Sequence, residues 1–450
     1  MEKVTYNNAL GEDARLVAPI MRTGKGFYVL GAVLLAIFIW AFLSWGYQLL
    51  YGLGVTGLNK PVYWGFYITN FVFFIGISFG GTLVSAILRL CQAEWRRPIT
   101  RAAEALAVLV LFFGVFNVLL DLGRPDRAYF VFTRAHPRSP LIWDVTAINT
   151  YLVVTIIYLY LPMIPDIALL RDHVPRYKLL YRILALGWKG TPRQERILHF
   201  LVSILAVVII PIAVSVHSVL GWVFGMTVQP MWHSTIFGPY FVMGAMYSGI
   251  GALIVAMAVL RKAYHLEDYL KPVHFENLGR LLLVMTFLWF YFTFAEYLTA
   301  FYGNEPVEMT VFYSKITGEF APYFWTMVAS CFVIPFTILC NRRTRTITGT
   351  VIASLFVILG MWLERYLIVV PTLVRPRLPY TVAPYFPSWV EWSTMAGCFA
   401  LFIFLYALFS KFFPVISIWE IQEGRERSIP ETVERISEYL PGKARQVENH

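Results

Sequence analysis

The sequence predicts an all-α integral membrane protein of ten transmembrane helices, two four-helix bundles with one flanking helix at each end. Three observations carry this. Of 450 residues, 58% are hydrophobic and only 14% charged, more apolar than a water-soluble domain of this length can hide. Apolar stretches long enough to cross about 30 Å of hydrocarbon recur ten times. Lysine and arginine also crowd into alternate connections between those stretches.

The stretches fall at 27–51, 62–90, 102–122, 141–162, 197–220, 237–262, 281–302, 321–340, 347–371 and 389–413. Aromatic residues make up 17% of the chain, as suits rings that line two bilayer interfaces and pack between helices. With their flanking turns, the N-terminal tail, the connections after helices two, four, six and eight, and the C-terminal tail hold 28 Lys and Arg, whereas the other five connections hold 8. This asymmetry predicts that both termini are cytoplasmic. It also accounts for the net charge of +10 without nucleic acid as a partner; membrane lipids are the partner it implies.

The predicted domains are a cytoplasmic N-terminal tail over 1–26, a membrane domain over 27–413 with bundles at about 62–220 and 237–371, and a cytoplasmic C-terminal tail over 414–450. The first 26 residues lack the short apolar core and small-residue cleavage site of a removable signal. In the C-terminal tail, Ser428-Ile429-Pro430-Glu431 reads as a helix start, with Ile429, Val433, Ile436 and Leu440 at helical spacing. Helix two begins Trp64-Gly65-Phe66-Tyr67 and helix six Phe237-Gly238-Pro239-Tyr240, and each reaches an arginine, Arg89 or Arg261, near its inner end. A parallel duplication explains the match; chance similarity between glycine-containing apolar segments explains it equally well.

An ionisable group inside a membrane bundle is a functional candidate because its burial is costly. Asp121 closes helix three at its outer end, Asp144 opens helix four from the same side, and His136 and Arg124 stand between them. His217 lies near the outer end of helix five, Glu296 two turns below the outer end of helix seven, and Glu364 and Arg365 in the outer half of helix nine. The ionisable groups thus gather toward the outer side, with mainly neutral Ser and Thr in the inner halves, which predicts a ligand or proton-handling site near the outer leaflet. Glu364 and Arg365, about 100° apart on a helix, are expected to find partners on other helices rather than each other. Glu296 fits a structural hydrogen bond to a neighbouring helix as well as a proton path with His217, Glu364 and Arg365. Arg124 fits a headgroup anchor as well as a site residue.

Cys91, Cys331, Cys340 and Cys398 form no CxxC or CxxCH, and His199 and His217 lack a matching pair on a second helix. The sequence therefore offers neither an iron-sulfur nor a haem site, and no flavin or metal site is visible. The cysteines read as small packed hydrophobes.

The segment Asp121-Leu122-Gly123-Arg124-Pro125-Asp126-Arg127, with Trp64-Gly65 and Gly76-Ile77-Ser78-Phe79-Gly80-Gly81 before it, resembles the polysulfide reductase membrane-subunit family, called NrfD-like, over about residues 27 to 413. Within that family the chain is most similar to the larger quinol-interacting subunits of alternative complex III. That similarity rests on Gly57-Leu58-Asn59-Lys60, Gly81 to Leu88, Leu141-Ile142-Trp143-Asp144-Val145, Ser215-Val216-His217-Ser218, Trp232 to Phe237 and Met361-Trp362-Leu363-Glu364-Arg365. The resemblance implies a menaquinol or ubiquinol pocket in the first bundle near the outer surface, with Asp121 and Asp144 at the quinol. It also implies an iron-sulfur subunit above that pocket, multihaem and monohaem cytochrome c subunits, and a second NrfD-like subunit. Where alternative complex III commonly has His before the Gly-Arg-Pro element, this chain has Asp121.

Quinol oxidation needs a group that takes a phenolic proton as electrons leave. Asp144, between Trp143 and Val145, fits that role best; Asp121 or His136 would hold the other oxygen, Arg124 would bias the local charge, and Tyr67, Phe71 and Phe74 would wall the pocket. Two other classes remain open: a non-catalytic anchor for redox subunits, and a secondary transporter, which the helix-breaking Pro211 and Pro335 would suit. The expected location is the bacterial cytoplasmic membrane.

Overall fold

A backbone that crosses hydrocarbon must satisfy its own hydrogen bonds, and an α-helix does so along its length. The computed structural model describes residues 14–378, 380 and 383–425. Among these are ten helices long and apolar enough to span a membrane: α1 (Lys25–Tyr51), α2 (Phe66–Leu90), α3 (Thr100–Asp121), α4 (Pro140–His173), α5 (Pro192–Gly225), α6 (Phe237–Ala263), α7 (Pro272–Gly303), α8 (Ala321–Cys340), α9 (Ile347–Val374) and α10 (Trp389–Phe412). No β-strand occurs among the described residues. Proline opens α4, α5 and α7, where its missing N–H costs nothing. Thr191 caps α5 by accepting from Gln194 N at 3.4 Å, and in α8 a wider π turn over Ala329–Val333 precedes Pro335.

Several helices outrun their apolar stretches. α4 continues eleven residues past the expected limit at 162, to His173, and α7 starts nine residues before the expected 281, at Pro272. Hydropathy registers only the part within hydrocarbon, whereas helical hydrogen bonding continues into the headgroup layer.

α2 is the centre of the molecule, with every residue from Phe66 to Ala86 buried. It packs on α3, α3 on α4, α4 on α5, and α5 back on α2, which closes a first ring; α6, α7, α8 and α9 close a second in the same order. The rings meet where α2 crosses α6. A Cβ at Gly249 would lie 2.4 Å from the Gly80 Cα and 2.8 Å from the Ile77 carbonyl oxygen, so this close approach admits only glycine. α1 pairs with α10 beside the first ring. In α1 only Leu34, Ala41, Ser44 and Gln48 are buried; the rest of its surface suits lipid.

The ends of the chain are less tail-like than their composition suggests. A short helix, Ala14–Met21, buries Leu16, Val17 and Ile20, and beyond α10 the chain buries Val415, Ile416 and Ile418, the last of these opening a short helical segment over 418–425. Residues 1–13 and the helix expected around 429–440 lie outside the described residues. The end of the bundle that the charge count assigns to the outside is called the outer end below.

Candidate functional site

At the outer end, four helices converge on a set of buried polar groups. Gln48 of α1 is fully buried; its amide donates to the Leu120 carbonyl of α3 at 2.9 Å and its oxygen accepts from the Tyr67 hydroxyl of α2 at 2.6 Å. Glu391 of α10, also fully buried, accepts from the Tyr385 hydroxyl at 2.5 Å, Gly57 N at 2.7 Å and Ser388 N at 2.8 Å. The Tyr385 hydroxyl in turn accepts from Phe66 N at 3.0 Å, one of the donors that the start of α2 leaves free. Asp121 lies within electrostatic reach of Glu391 and Tyr67. Unlike Glu391, it keeps a buried oxygen, Oδ1, with no hydrogen-bond partner.

Asp144 is the second such group, 8% exposed and with a buried, unpartnered Oδ1. Ser139 occupies the cap position of α4, so Asp144 stands within the helix and does not cap it. It belongs to the buried stripe Asp144, Ile148, Tyr151, Thr155 and Tyr158, which at helical spacing faces the interior of the first ring. An unpaired carboxylate oxygen in a buried place is costly, which makes each of the two a candidate to accept from a ligand.

The other residues singled out in the sequence distribute as follows. Arg124 is largely exposed and bonds its neighbour Asp126 at 3.1 Å; this arginine holds the fully exposed Asp126 carboxyl below its ordinary range. His136 sits in the exposed outer connection, where its carbonyl accepts from Ser139 N. Tyr67 enters the site through Gln48, while Phe71 and Phe74 are buried farther along α2, Phe74 with its ring centroid 4.9 Å from Phe399. His217 is buried against the Phe79 ring at 4.2 Å, with Nε2 unpartnered.

Glu296, Glu364 and Arg365 belong to the second ring. Glu296 accepts from the Ser234 hydroxyl at 2.5 Å. Glu364 accepts from Trp289 Nε1 at 2.6 Å and, against expectation, pairs with its chain neighbour Arg365 at 2.8 Å. Two long side chains bend toward each other across the 100° between them, and neither forms an ion pair with another helix among the described residues. A cavity of about 20 Å³, room for one water, touches Glu296, Glu364, Tyr240 and the buried Lys315.

Sequence reasoning missed Gln48, Tyr385 and Glu391, which become partners only when α1 and α10 pack beside α2. It also missed the inner end, where neutral Ser and Thr were expected and charges are found. Arg101 of α3 forms a fully buried ion pair with Asp166 of α4, and Asp166 also accepts from Ile418 N and Trp419 N at 3.0 Å each. Glu104 of α3 is buried beside Ser85 of α2. Glu420, beyond α10, bonds Arg89 at 2.8 Å and Arg96 at 3.0 Å. Burial would raise the Glu420 carboxyl, but these arginines overcome it and hold the group below its ordinary value. One charge every turn or two does not interrupt a hydropathy window, so these groups went unread; Arg101 and Glu104, three residues or nearly one turn apart at the start of helix three, were the signal available.

The fold and site define a polytopic helical membrane subunit with a set of buried polar groups at one end. Residues 54–377 match the family described as polysulphide reductase, NrfD, and the chain belongs to that family. Among its relatives are a subunit of the selenate reductase of Mesobacillus selenatarsenatis, 26% identical over 84% of this chain and 92% of the relative, and the Hdr-like menaquinol oxidoreductase integral membrane subunit of Archaeoglobus fulgidus, 23% identical over 91% and 96%. The menaquinone reductase integral membrane subunit of Nitratidesulfovibrio vulgaris is 23% identical over 84% and 90%.

Proposed function

We propose that this chain is the quinol-binding membrane subunit of an oxidoreductase complex, and that it oxidises quinol at the outer end of the first ring. The reading is carried by Asp121, half-buried with its Oδ1 covered, and the buried Asp144, whose unpartnered oxygens lie at the same end of the bundle. A quinol has two phenolic O–H donors, which are what these acceptors lack. Asp144 takes one proton as electrons leave, and Asp121, beside Tyr67 and Glu391, positions the second oxygen. The names of the menaquinol and menaquinone relatives support a quinone of that kind.

Electrons pass to an iron-sulfur subunit at the outer surface and on to multihaem and monohaem cytochrome c subunits, with a second NrfD-like subunit alongside, as in alternative complex III. The chain sits in a bacterial cytoplasmic membrane with both termini in the cytoplasm. His217 of the first ring and the cluster of Glu296, Glu364 and Arg365 in the second form a further proton path.

The test is Asp144→Asn in the intact complex. The substitution preserves shape and removes the proton acceptor, so quinol-to-acceptor turnover should fall by about 10²–10⁴-fold with every partner subunit still present. Near-normal turnover in a fully assembled variant would remove Asp144 from the mechanism and favour the anchor role. Asp121→Asn should be the milder change if Asp121 only positions the quinol.

A further inference from the structure

We propose that a basic cavity at the inner end, between the two rings, binds a phosphate-bearing anion, and that the headgroup of an anionic phospholipid supplies the phosphate. The cavity lies at the opposite end of the bundle from Asp121 and Asp144, and the proposal does not depend on the quinol reading.

The cavity measures about 1280 Å³ and is walled by the end of α2 and the connection after it, by early turns of α5 and α7, and by the chain beyond α10. Six cations, Arg15, Arg89, Arg96, Arg97, Lys271 and Arg425, line it together with three carboxylates, those of Glu94, Asp268 and Glu423. Two more carboxyls stand behind Arg89, Glu420 at 2.8 Å and Glu104 at 3.9 Å. Even with both ionised, cations outnumber anions around this recess. Arg96 shows where the surplus lies. It shares Glu420 with Arg89, at 3.0 Å through Nη1, and among the described residues that is the one bond made by its five N–H donors. Its side chain is nevertheless only 13% exposed. Burial pulls its guanidinium below the ordinary range; Glu420 acts the other way, and Arg89 and Arg97 add repulsion. A phosphate accepts from a guanidinium fork through two parallel bonds, and it would bring the negative charge that Arg96 lacks.

A purely structural reading explains part of this arrangement. One arginine on Glu420 is enough to staple the chain beyond α10 to the bundle. A second arginine on the same carboxylate, with Lys271 lining the recess from the cap position of α7, goes beyond that need. Retention of positive loops places cations on this side of the membrane but does not gather six of them around one recess. The depth of the cavity selects a lipid as the source. It reaches from His199, two residues inside the apolar stretch that begins at 197, to Lys271, ten residues before the stretch that begins at 281, and so spans the layer where headgroups lie. Beside His199, Ile197 and Phe200 are 48% and 64% exposed, and Val273 in the cavity lining is 47% exposed; these offer apolar surface to acyl chains below a charged recess. Basic pockets between membrane helices on the cytoplasmic side suit anionic headgroups for this reason.

The test places the purified complex in bilayer nanodiscs that carry phosphatidylglycerol with a photoreactive group near the top of one acyl chain. Illumination should attach the probe to peptides containing residues 197–203 or 271–274, as read by mass spectrometry. The same probe built on phosphatidylcholine, which has the phosphate but no net charge, should label them about fivefold less. Lys271→Gln should lower phosphatidylglycerol labelling by about fivefold, and Arg96→Gln combined with it by about tenfold or more. Glu420 keeps Arg89 in these variants, and subunit content checks their assembly. Arg342→Gln, at an exposed position between α8 and α9, should leave labelling unchanged. Equal labelling by the two probes, or undiminished labelling in assembled Lys271→Gln, would overturn the proposal. Equilibrium dialysis of the delipidated complex against radiolabelled inorganic phosphate separates the two sources. Saturable phosphate binding that Lys271→Gln weakens, without lipid labelling at these peptides, would support the anion site and overturn its assignment to a lipid.

Discussion

At the scale of single residues, burial without a full set of partners separates the candidates. Glu391 and Asp121 lie at the same end of the molecule, yet Glu391 has three donors and Asp121 an orphan oxygen; the first reads as a structural clasp and the second as a ligand acceptor. Lys315, in the short helix Pro306–Ile316, is a different case. It is 4% exposed, with its ammonium 5.9 Å from the Tyr297 ring centre. Burial pulls its pKa down to about 8, with Glu296 acting the other way. The unfolded lysine holds its proton to about pH 10.4, so between pH 8 and that value the unfolded chain binds more protons and stability rises with pH. Below pH 8 both states are charged and the burial penalty is fully present. Thermal melts of the purified protein should show this rise, and Lys315→Met should abolish it. An unchanged alkaline rise in the variant would assign it to another group, and a parent without the rise would mean that Lys315 is hydrated.

At the scale of elements, the crossing of α2 and α6 is the tightest feature of the fold. Helices in lipid associate through close packing rather than through a hydrophobic drive, and glycine permits the closest approach. Gly249→Val would place its Cβ against the backbone of Gly80 and Ile77, which cannot rotate away. Overpacking of this kind costs about 1–3 kcal/mol, and more where only backbone can yield. The variant should lose thermal stability in detergent and assemble poorly, as measured by melting and by the recovery of partner subunits. A variant that melts like the parent would show that α2 and α6 do not meet this closely. The small residues of both helices were legible in the sequence, but which glycine meets which was not, because hydropathy carries no information about helix crossing.

For the whole molecule, the charge asymmetry is the quantity that orients it. Reporter fusions placed after His450 and within the connection at 221–236 should report opposite sides of the membrane, the first cytoplasmic. If both report one side, the helix count is wrong; if they report opposite sides with the first outside, the orientation is reversed and the outer site faces the cytoplasm. The ten helices themselves were readable because hydrocarbon thickness sets a minimum apolar length. Their ends were not, as the eleven extra residues of α4 illustrate.

By itself the sequence determined the solvent, the helix count, the family resemblance, and the burial candidates Asp121 and Asp144. These follow from local quantities: apolar length, and the cost of a charge within it. Only the tertiary structure decided which buried groups are satisfied. Glu391 finds Gly57 across 334 positions of chain and Glu420 finds Arg89 across 331, so one carboxylate becomes a clasp and the other an anchor for arginines. Glu104, read as part of an apolar helix, becomes the partner of Ser85, beside Tyr158, because α2, α3 and α4 turn those faces inward together. A hydrogen bond depends on where two atoms lie, and in a bundle that position is set by helix packing rather than by neighbours in the chain.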